Sequence, residues 1–275
     1  MKKQGKQQQP SEAIGLDLSD RTGQYCHLDP DGEIKTEGKV TLTTAGLKRV
    51  FGELSRTRIA RETGAQSGWV KRCLEECGHE VIVANARELQ AISGSAKKTD
   101  QRDARQLARL ARVDPTLLSP GELRTAQQQL DLVLIRVRAV LVEARTKLVN
   151  AVRGLAKIEG VRLPAASTAY FAQRARPALN GELQSALAPL LTVIEQLSEA
   201  IEGSEETIAQ TAETRYPEIR WLKQVPGVGA LTALTFVLTL GRPERFAHSR
   251  DVGAFLGLTP RRQQAGEEDW SAPLR

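Results

Sequence analysis

Four acidic residues, Asp17, Glu62, Asp100 and Asp103, stand where a carboxylate could hold a hard divalent cation. Asp17 lies in the apolar run Ala13-Ile14-Gly15-Leu16-Asp17-Leu18, which reads as a buried strand, and a charge there is costly unless something compensates it. A divalent cation is the natural compensation. Glu62 closes Arg58-Ile59-Ala60-Arg61-Glu62 just before Thr63-Gly64, so its carboxylate is expected at the carboxyl edge of a sheet. Asp100 and Asp103, three apart at the start of a helical pattern, share one face. Two magnesium ions about 3.5–4 Å apart among such acids can position a nucleophile on one side of a phosphodiester and stabilise the leaving oxygen on the other. Oxygen donors without His or Cys suit magnesium better than zinc. Taken singly, Glu62 reads equally as a solvated strand end and Asp100 as a helix N-cap; Asp17 is the hardest to explain that way.

The elements around these acids decide whether they can meet. Strands are expected at Ala13–Ser19, Gly23–Leu28 and Glu33–Leu42, the second turn being Asp29-Pro30-Asp31-Gly32. Helix Thr44–Ser55, strand Thr57–Glu62, helix Ser67–Cys77 and strand His79–Ala84 follow, with Ser67 as N-cap and Gly78 as the helix stop. A short helical stretch near Arg87 precedes a helix from Lys98 to Val113, whose apolar stripe is Ala104, Leu107, Ala108 and Ala111. The order βββαβαβα is that of the ribonuclease H fold, in which the first strand, the end of the fourth strand and the last helix converge on one sheet edge. That topology would make sequence-distant acids neighbours.

After Pro120 the pattern changes. Leu130, Leu134, Val137, Leu141, Leu148 and Val152 recur at helical spacing, and so do Leu187, Leu190, Ile194, Leu197, Ile201 and Ile208. Breakers at Pro164, Pro177, Asn180 and Gly181 separate the two runs, giving an antiparallel helical hairpin that either joins two domains or dimerises through an apolar seam. Arg136, Arg138, Arg145, Lys147, Arg153 and Lys157 read as phosphate contacts or as a solvated face. Further on, Lys223-Gln224-Val225-Pro226-Gly227-Val228-Gly229 before the apolar run Ala230–Leu240 has the form of a helix-hairpin-helix turn. There Gly227 and Gly229 would let backbone N–H groups approach a phosphate, with Lys223, Arg261 and Arg262 nearby.

The composition agrees with a polyanionic partner. The 275 residues carry a net charge of +6 with a pI near 9.4. No run is long and apolar enough for a membrane span, MKKQGKQQQ is not a signal peptide, and the three cysteines are too few for a disulfide framework; a cytoplasmic location follows as the expectation. Cys73, Cys77 and His79 resemble part of a metal set but read as helix-face thiols. The expected organisation is a basic tail at 1–11, an α/β domain with an RNase H-like mixed sheet at 12–115, the long helical hairpin at 116–215, and a small α-helical C-terminal domain with a helix-hairpin-helix-like element at 216–275.

Four stretches together resemble the DEDD transposases of bacterial insertion sequences, which join an RNase H/RuvC-like domain to a coiled coil and a C-terminal transposase domain. They are Ile14-Gly15-Leu16-Asp17; Glu62-Thr63-Gly64 with Ser67-Gly68-Trp69-Val70; Lys98-Thr99-Asp100 with Arg102-Asp103-Ala104; and Pro226-Gly227-Val228-Gly229 leading to Phe255-Leu256-Gly257-Leu258-Thr259-Pro260. The family's acids fall on Asp17, Glu62, Asp100 and Asp103. The resemblance implies a DNA recombinase with a two-magnesium acidic site, a homo-oligomer built through the hairpin and, as in some members, a noncoding guide RNA. Composition and spacing do not bear on that RNA.

Two departures qualify the expectation. Where the family has a Gln-Ser-Gly-like segment with a proposed nucleophilic serine, this chain has Gln264-Ala265-Gly266, and the family continues through further basic helices. Ser271 lies too far along to replace the hydroxyl. The sequence therefore implies a truncated transposase impaired in the serine step, in which Ala265→Ser alone is insufficient. Two other readings stay open: a structure-selective nuclease of the junction-resolvase kind using water, and a non-catalytic nucleic-acid-binding fragment that regulates a full-length transposase.

Overall fold

The structure is a computed structural model; it describes residues 12–85, 99–118, 121, 123–258, 262–265 and 268–271, the last two segments as backbone only. The chain divides into two compact units, residues 1–126 and 127–275.

The first unit is built on a five-stranded sheet in the order β3-β2-β1-β4-β5. Strands β1 (Ala13–Leu18), β2 (Thr22–Leu28) and β3 (Ile34–Thr41) form the expected meander, and β4 (Arg58–Glu62) and β5 (Glu80–Ala84) add parallel to β1. Antiparallel neighbours need only short turns; the parallel pairs require crossovers, which α1 (Thr44–Phe51) and α2 (Ser67–Glu76) supply. These two helices cover one face through Ile14, Leu16, Leu47, Phe51, Ile59, Val70 and Leu74. The other face carries α3 (Asp100–Val113), packed through Leu107 and Ala111 on Ala13, Ala60, Ile82 and Ala84.

Gly15 sets how closely α3 sits on the sheet. A β-carbon there would lie 1.9 Å from the carbonyl oxygen of Ala104 and 2.4 Å from the backbone nitrogen of Ala108, far inside van der Waals contact. Two capping expectations are corrected. Thr99, not Asp100, caps α3, accepting from the Arg102 N–H, which leaves Asp100 as the first helical residue. Ser67 is likewise inside α2: its hydroxyl donates to the Gly64 carbonyl and accepts from the Gly64 N–H, both at 2.7 Å, closing the turn after Glu62. Gly78 does end the second helix in the left-handed region, at φ +91°. His79 is buried with Nδ1 accepting from the Thr57 N–H and Nε2 against the Phe51 carbonyl, so it serves the core rather than a metal. The stretch near Arg87 and Lys98 lies outside the described residues.

In the second unit, α4 (Ala126–Ile158) and α6 (Gly181–Arg215) form an antiparallel hairpin, with the short α5 (Phe171–Ala175) between them. Polar links fix the direction. Asp131 accepts from Arg215, Arg138 donates to Glu205 and Arg145 donates to Ser198, so partner numbers fall as the chain rises along α4. Asp131 is fully buried and also accepts from the Tyr216 hydroxyl at 2.7 Å and Gln127 at 3.0 Å. Several expected phosphate contacts are thereby engaged within the fold: Arg138 and Arg145 as above, Lys147 with Glu143, and Arg153 stacked on Phe171.

The apolar positions expected on α4 divide between two faces. Val152 is buried, but Leu130 and Val137 are exposed together with Val133 and Val140, forming a second apolar stripe at i, i+3, i+7 and i+10. On α6 the expected Leu187, Ile194, Ile201 and Ile208 are all buried.

Beyond the hairpin come α7 (Ile219–Leu222), α8 (Ala230–Leu240) and α9 (Arg250–Phe255). The C-terminal segment is not wholly helical as expected: Arg262–Ala265 and Glu268–Ser271 pair as the antiparallel strands β6 and β7, with Arg262 opposite Ser271 and Ala265 opposite Glu268. Among the described residues no helix is long and apolar enough to cross a membrane.

Candidate active site

Strand alternation puts two of the four acids side by side. Leu16 on β1 is registered with Arg61 on the adjacent parallel β4, so the next residues, Asp17 and Glu62, stand together at the carboxyl ends of the two central strands. Both share the face of Ala13, Gly15 and Ala60, the face that α3 covers. Asp100 and Asp103 are in the first turn of α3, which Gly15 allows to approach that same edge. A bidentate contact from Arg105 to Glu37 on β3, at 2.5 and 2.7 Å, ties the helix down just past Asp103.

The field at Asp17 records this convergence. Its carboxyl is raised from 3.8 to about 6, first by burial and then by the charges of Asp100, Asp103 and Glu62. The three other expected acids therefore act on Asp17, although they are up to 86 positions from it in sequence. Among the described residues no three His, Cys, Asp or Glu side chains are already gathered at metal-holding distance. The donors are all hard oxygens, and the field at Asp17 penalises its charged state, which fits a divalent cation of the magnesium type.

A cleft of about 630 Å³ opens beside the acids, lined by Gln24, Lys39, Thr99, Asp100 and Gln101. Gln24 is the cross-strand partner of Asp17, so the cleft adjoins the acidic edge, and Lys39 brings a positive charge to it.

One residue at this edge gave no functional signal in the sequence. Arg61 is 1% exposed, the largest fully buried side chain among the described residues. Its Nε and Nη2 donate to the Glu62 carbonyl oxygen at 3.0 and 2.6 Å, while Nη1 has no acceptor among the described residues.

The second group of expected residues lies in the other unit. Gly227 adopts φ +86° and Gly229 precedes the first residue of α8, so the Pro-Gly-Val-Gly turn leads into a helix N-terminus. The helix before it, α7, is a single turn. Lys223 is exposed and paired with Glu213 at 3.3 Å. Arg261 lies outside the described residues, and Arg262 and Ala265 are described only as positions on β6. Sequence reasoning missed two cation–aromatic groups here: Arg220 over the exposed Trp221 ring at 4.8 Å, and Arg245 over Phe255 at 4.5 Å.

A mixed sheet in this order, with acids at the carboxyl ends of β1 and β4 and on the last helix, defines an RNase H-like domain. Residues 14–158 match the DEDD transposase family of the IS110 type, and residues 219–274 match the transposase IS116/IS110/IS902 family. The chain belongs to the DEDD transposases of insertion sequences, enzymes that cleave and rejoin DNA. It is similar to the transposase for insertion sequence element IS1111A of Coxiella burnetii, 25% identical over 98% of this chain and 74% of that protein. A probable family 20 transposase of Pseudomonas aeruginosa is 26% identical over 92% of this chain and 75% of its own length. The transposase for insertion sequence element IS1328 of Yersinia enterocolitica is 29% identical over 76% and 62%.

Proposed function

We propose that this transposase performs phosphodiester chemistry on DNA at the edge formed by Asp17, Glu62, Asp100 and Asp103, which together hold magnesium. The observation that carries the reading is the raised Asp17 carboxyl: burial and three facing carboxylates oppose its charge, and a bound cation would reverse that penalty. Bound magnesium would supply charge stabilisation on the phosphate oxygens and a lowered pKa for a coordinated water or hydroxyl. Asp17 and Glu62 contribute oxygens from rigid strand ends, Asp100 and Asp103 from one helical turn. Thr99 takes over the capping duty and keeps the Asp100 carboxylate available. Lys39 in the adjoining cleft would draw the DNA backbone toward the acids.

The turn at Gly227 and Gly229, Lys223, Arg261 and Arg262 form the DNA-holding part of the second unit, with Trp221 offering a stacking surface. The exposed stripe Leu130, Val133, Val137 and Val140 serves as the contact between copies of the chain. A guide RNA would use the same basic surface; its support is the family resemblance alone.

A second reading is favoured by one specific residue. Ala265 stands at the family's proposed nucleophile position and has no hydroxyl. Water at the acidic site then becomes the available nucleophile, and the product is a nick or hydrolysed branch rather than a rejoined strand. Incubating the protein with element-end duplexes and with branched DNA, with and without magnesium, separates these readings. Joined products abolished by Asp17→Asn support recombination. Hydrolysis alone, equally sensitive to Asp17→Asn, supports the nuclease. Salt-sensitive binding without cleavage, indifferent to Asp17→Asn, would leave the regulatory fragment.

A further inference from the structure

Arg61 occupies a position that is unfavourable on its own account. Strand alternation turns it away from Ala60 and Glu62, toward the core face with Ile59, and its head bends back to the Glu62 carbonyl at the sheet edge. Burial works against its charge, and the charges that favour it are those of Asp17 and Glu62. One guanidinium N–H has no acceptor among the described residues. A buried arginine with an unsatisfied donor costs stability, and a Met of similar length would fill the same space without that cost. What an arginine has and a Met lacks is a permanent positive charge behind two of the four acids.

We propose that Arg61 is a built-in counter-cation of the acidic edge, a positioning residue that weakens divalent-metal binding at the Asp17 and Glu62 end until DNA is present. The inference rests on the metal reading above. Four carboxylates offset by one guanidinium leave three negative charges, fewer than two divalent cations require. The phosphodiester of the substrate brings the fourth. Metal loading is thereby linked to substrate binding, and the free protein holds its cations loosely.

The test is a Mn²⁺ titration of the full chain without DNA, read by electron paramagnetic resonance of the unbound ion. Arg61→Met and Arg61→Gln, which remove the charge, are expected to bind Mn²⁺ on the order of tenfold more tightly than the wild type, about 1.4 kcal/mol. Arg61→Lys, which keeps the charge, stays within about twofold. Damage to the fold can only weaken binding, so tightening is a readout that a merely structural role does not give. Unchanged or weaker binding by folded Arg61→Met or Arg61→Gln overturns the proposal. If neither uncharged variant folds, a tenfold change in Arg61→Lys overturns it. Asp17→Asn is titrated alongside: Mn²⁺ binding lost there but unaltered by Arg61 substitution refutes the counter-cation alone. Wild-type binding indifferent to Asp17→Asn refutes the metal reading, and the inference with it.

Discussion

Gly15 on β1 and Ala104 on α3 are pressed together so closely that a β-carbon on the glycine would fall 1.9 Å from the alanine's carbonyl oxygen. The glycine stands two residues before Asp17 and the alanine one residue after Asp103, so this contact sets the spacing of the acids. Gly15→Ala is expected to push the helix off the sheet, at a cost of about 3 kcal/mol or more. Chemical denaturation checks the loss, and a variant as stable as the wild type would contradict the contact.

Asp17 supplies a prediction about pH. The folded protein binds the Asp17 proton more tightly than the unfolded chain does, because burial and the neighbouring acids hold the carboxyl at about 6 rather than 3.8. Its stabilising contribution is complete below about pH 3.8 and is lost as pH rises through about 6. In metal-free buffer at pH 7.5, Asp17→Asn should therefore be more stable than the wild type, by about 1–2 kcal/mol after allowance for partial solvent exposure. The two should converge near pH 4. Magnesium should reverse the order at neutral pH, adding about 2.7 kcal/mol to the wild type at a hundredfold excess over its dissociation constant. Urea melts in chelator and in magnesium measure both effects.

The Glu37–Arg105 pair behaves in the opposite sense. The hydrogen bond from Arg105, foremost among several causes, holds Glu37 down from 4.5 to about 2. This contribution is present above about pH 4.5 and disappears as pH falls through about 2. Arg105→Met should destabilise the protein at pH 7, and urea melts should show the difference from the wild type vanishing at the acid end of the range.

The exposed stripe on α4 predicts an assembly defect without a folding defect. Val137 is outside the core, so Val137→Lys should leave the melting profile nearly unchanged while lowering the mass measured by light scattering. An unaltered mass would remove this face from the interface.

Lys223 tests the other unit. Its exposed pair with Glu213 contributes little to stability, so the ammonium can exchange its partner for a phosphate. Lys223→Ala should weaken DNA binding across sequences and reduce the salt slope by about one.

The strand order and the candidate acids were legible because each depends on local signals: alternation, turns at Asp29–Gly32, and charges placed in apolar or helix-starting segments. The buried charges were not. Arg61 sits in Arg58-Ile59-Ala60-Arg61-Glu62, where alternation with Glu62 makes it look like a surface residue, and only the packed sheet shows it enclosed. Asp131 escaped notice likewise, since its partners Arg215 and Tyr216 arrive from the far end of the hairpin. Which of the apolar positions on this helix face the hairpin partner was not legible, because a helix with two apolar stripes has the same spacing on each. The pairing of Gln263 and Gln264 with Trp270 and Asp269 was invisible because its residues are mostly polar or charged and give no apolar alternation.

The central claim is that four acids from two strands and one helix form a single cation site. Calorimetric titration of Mg²⁺ into the wild type and into Asp17→Asn, Glu62→Gln, Asp100→Asn and Asp103→Asn tests it most directly, with the fold of each checked by circular dichroism. The claim predicts that every substitution weakens the same binding event by tenfold or more. Wild-type affinity retained in Asp17→Asn and Asp103→Asn would contradict it.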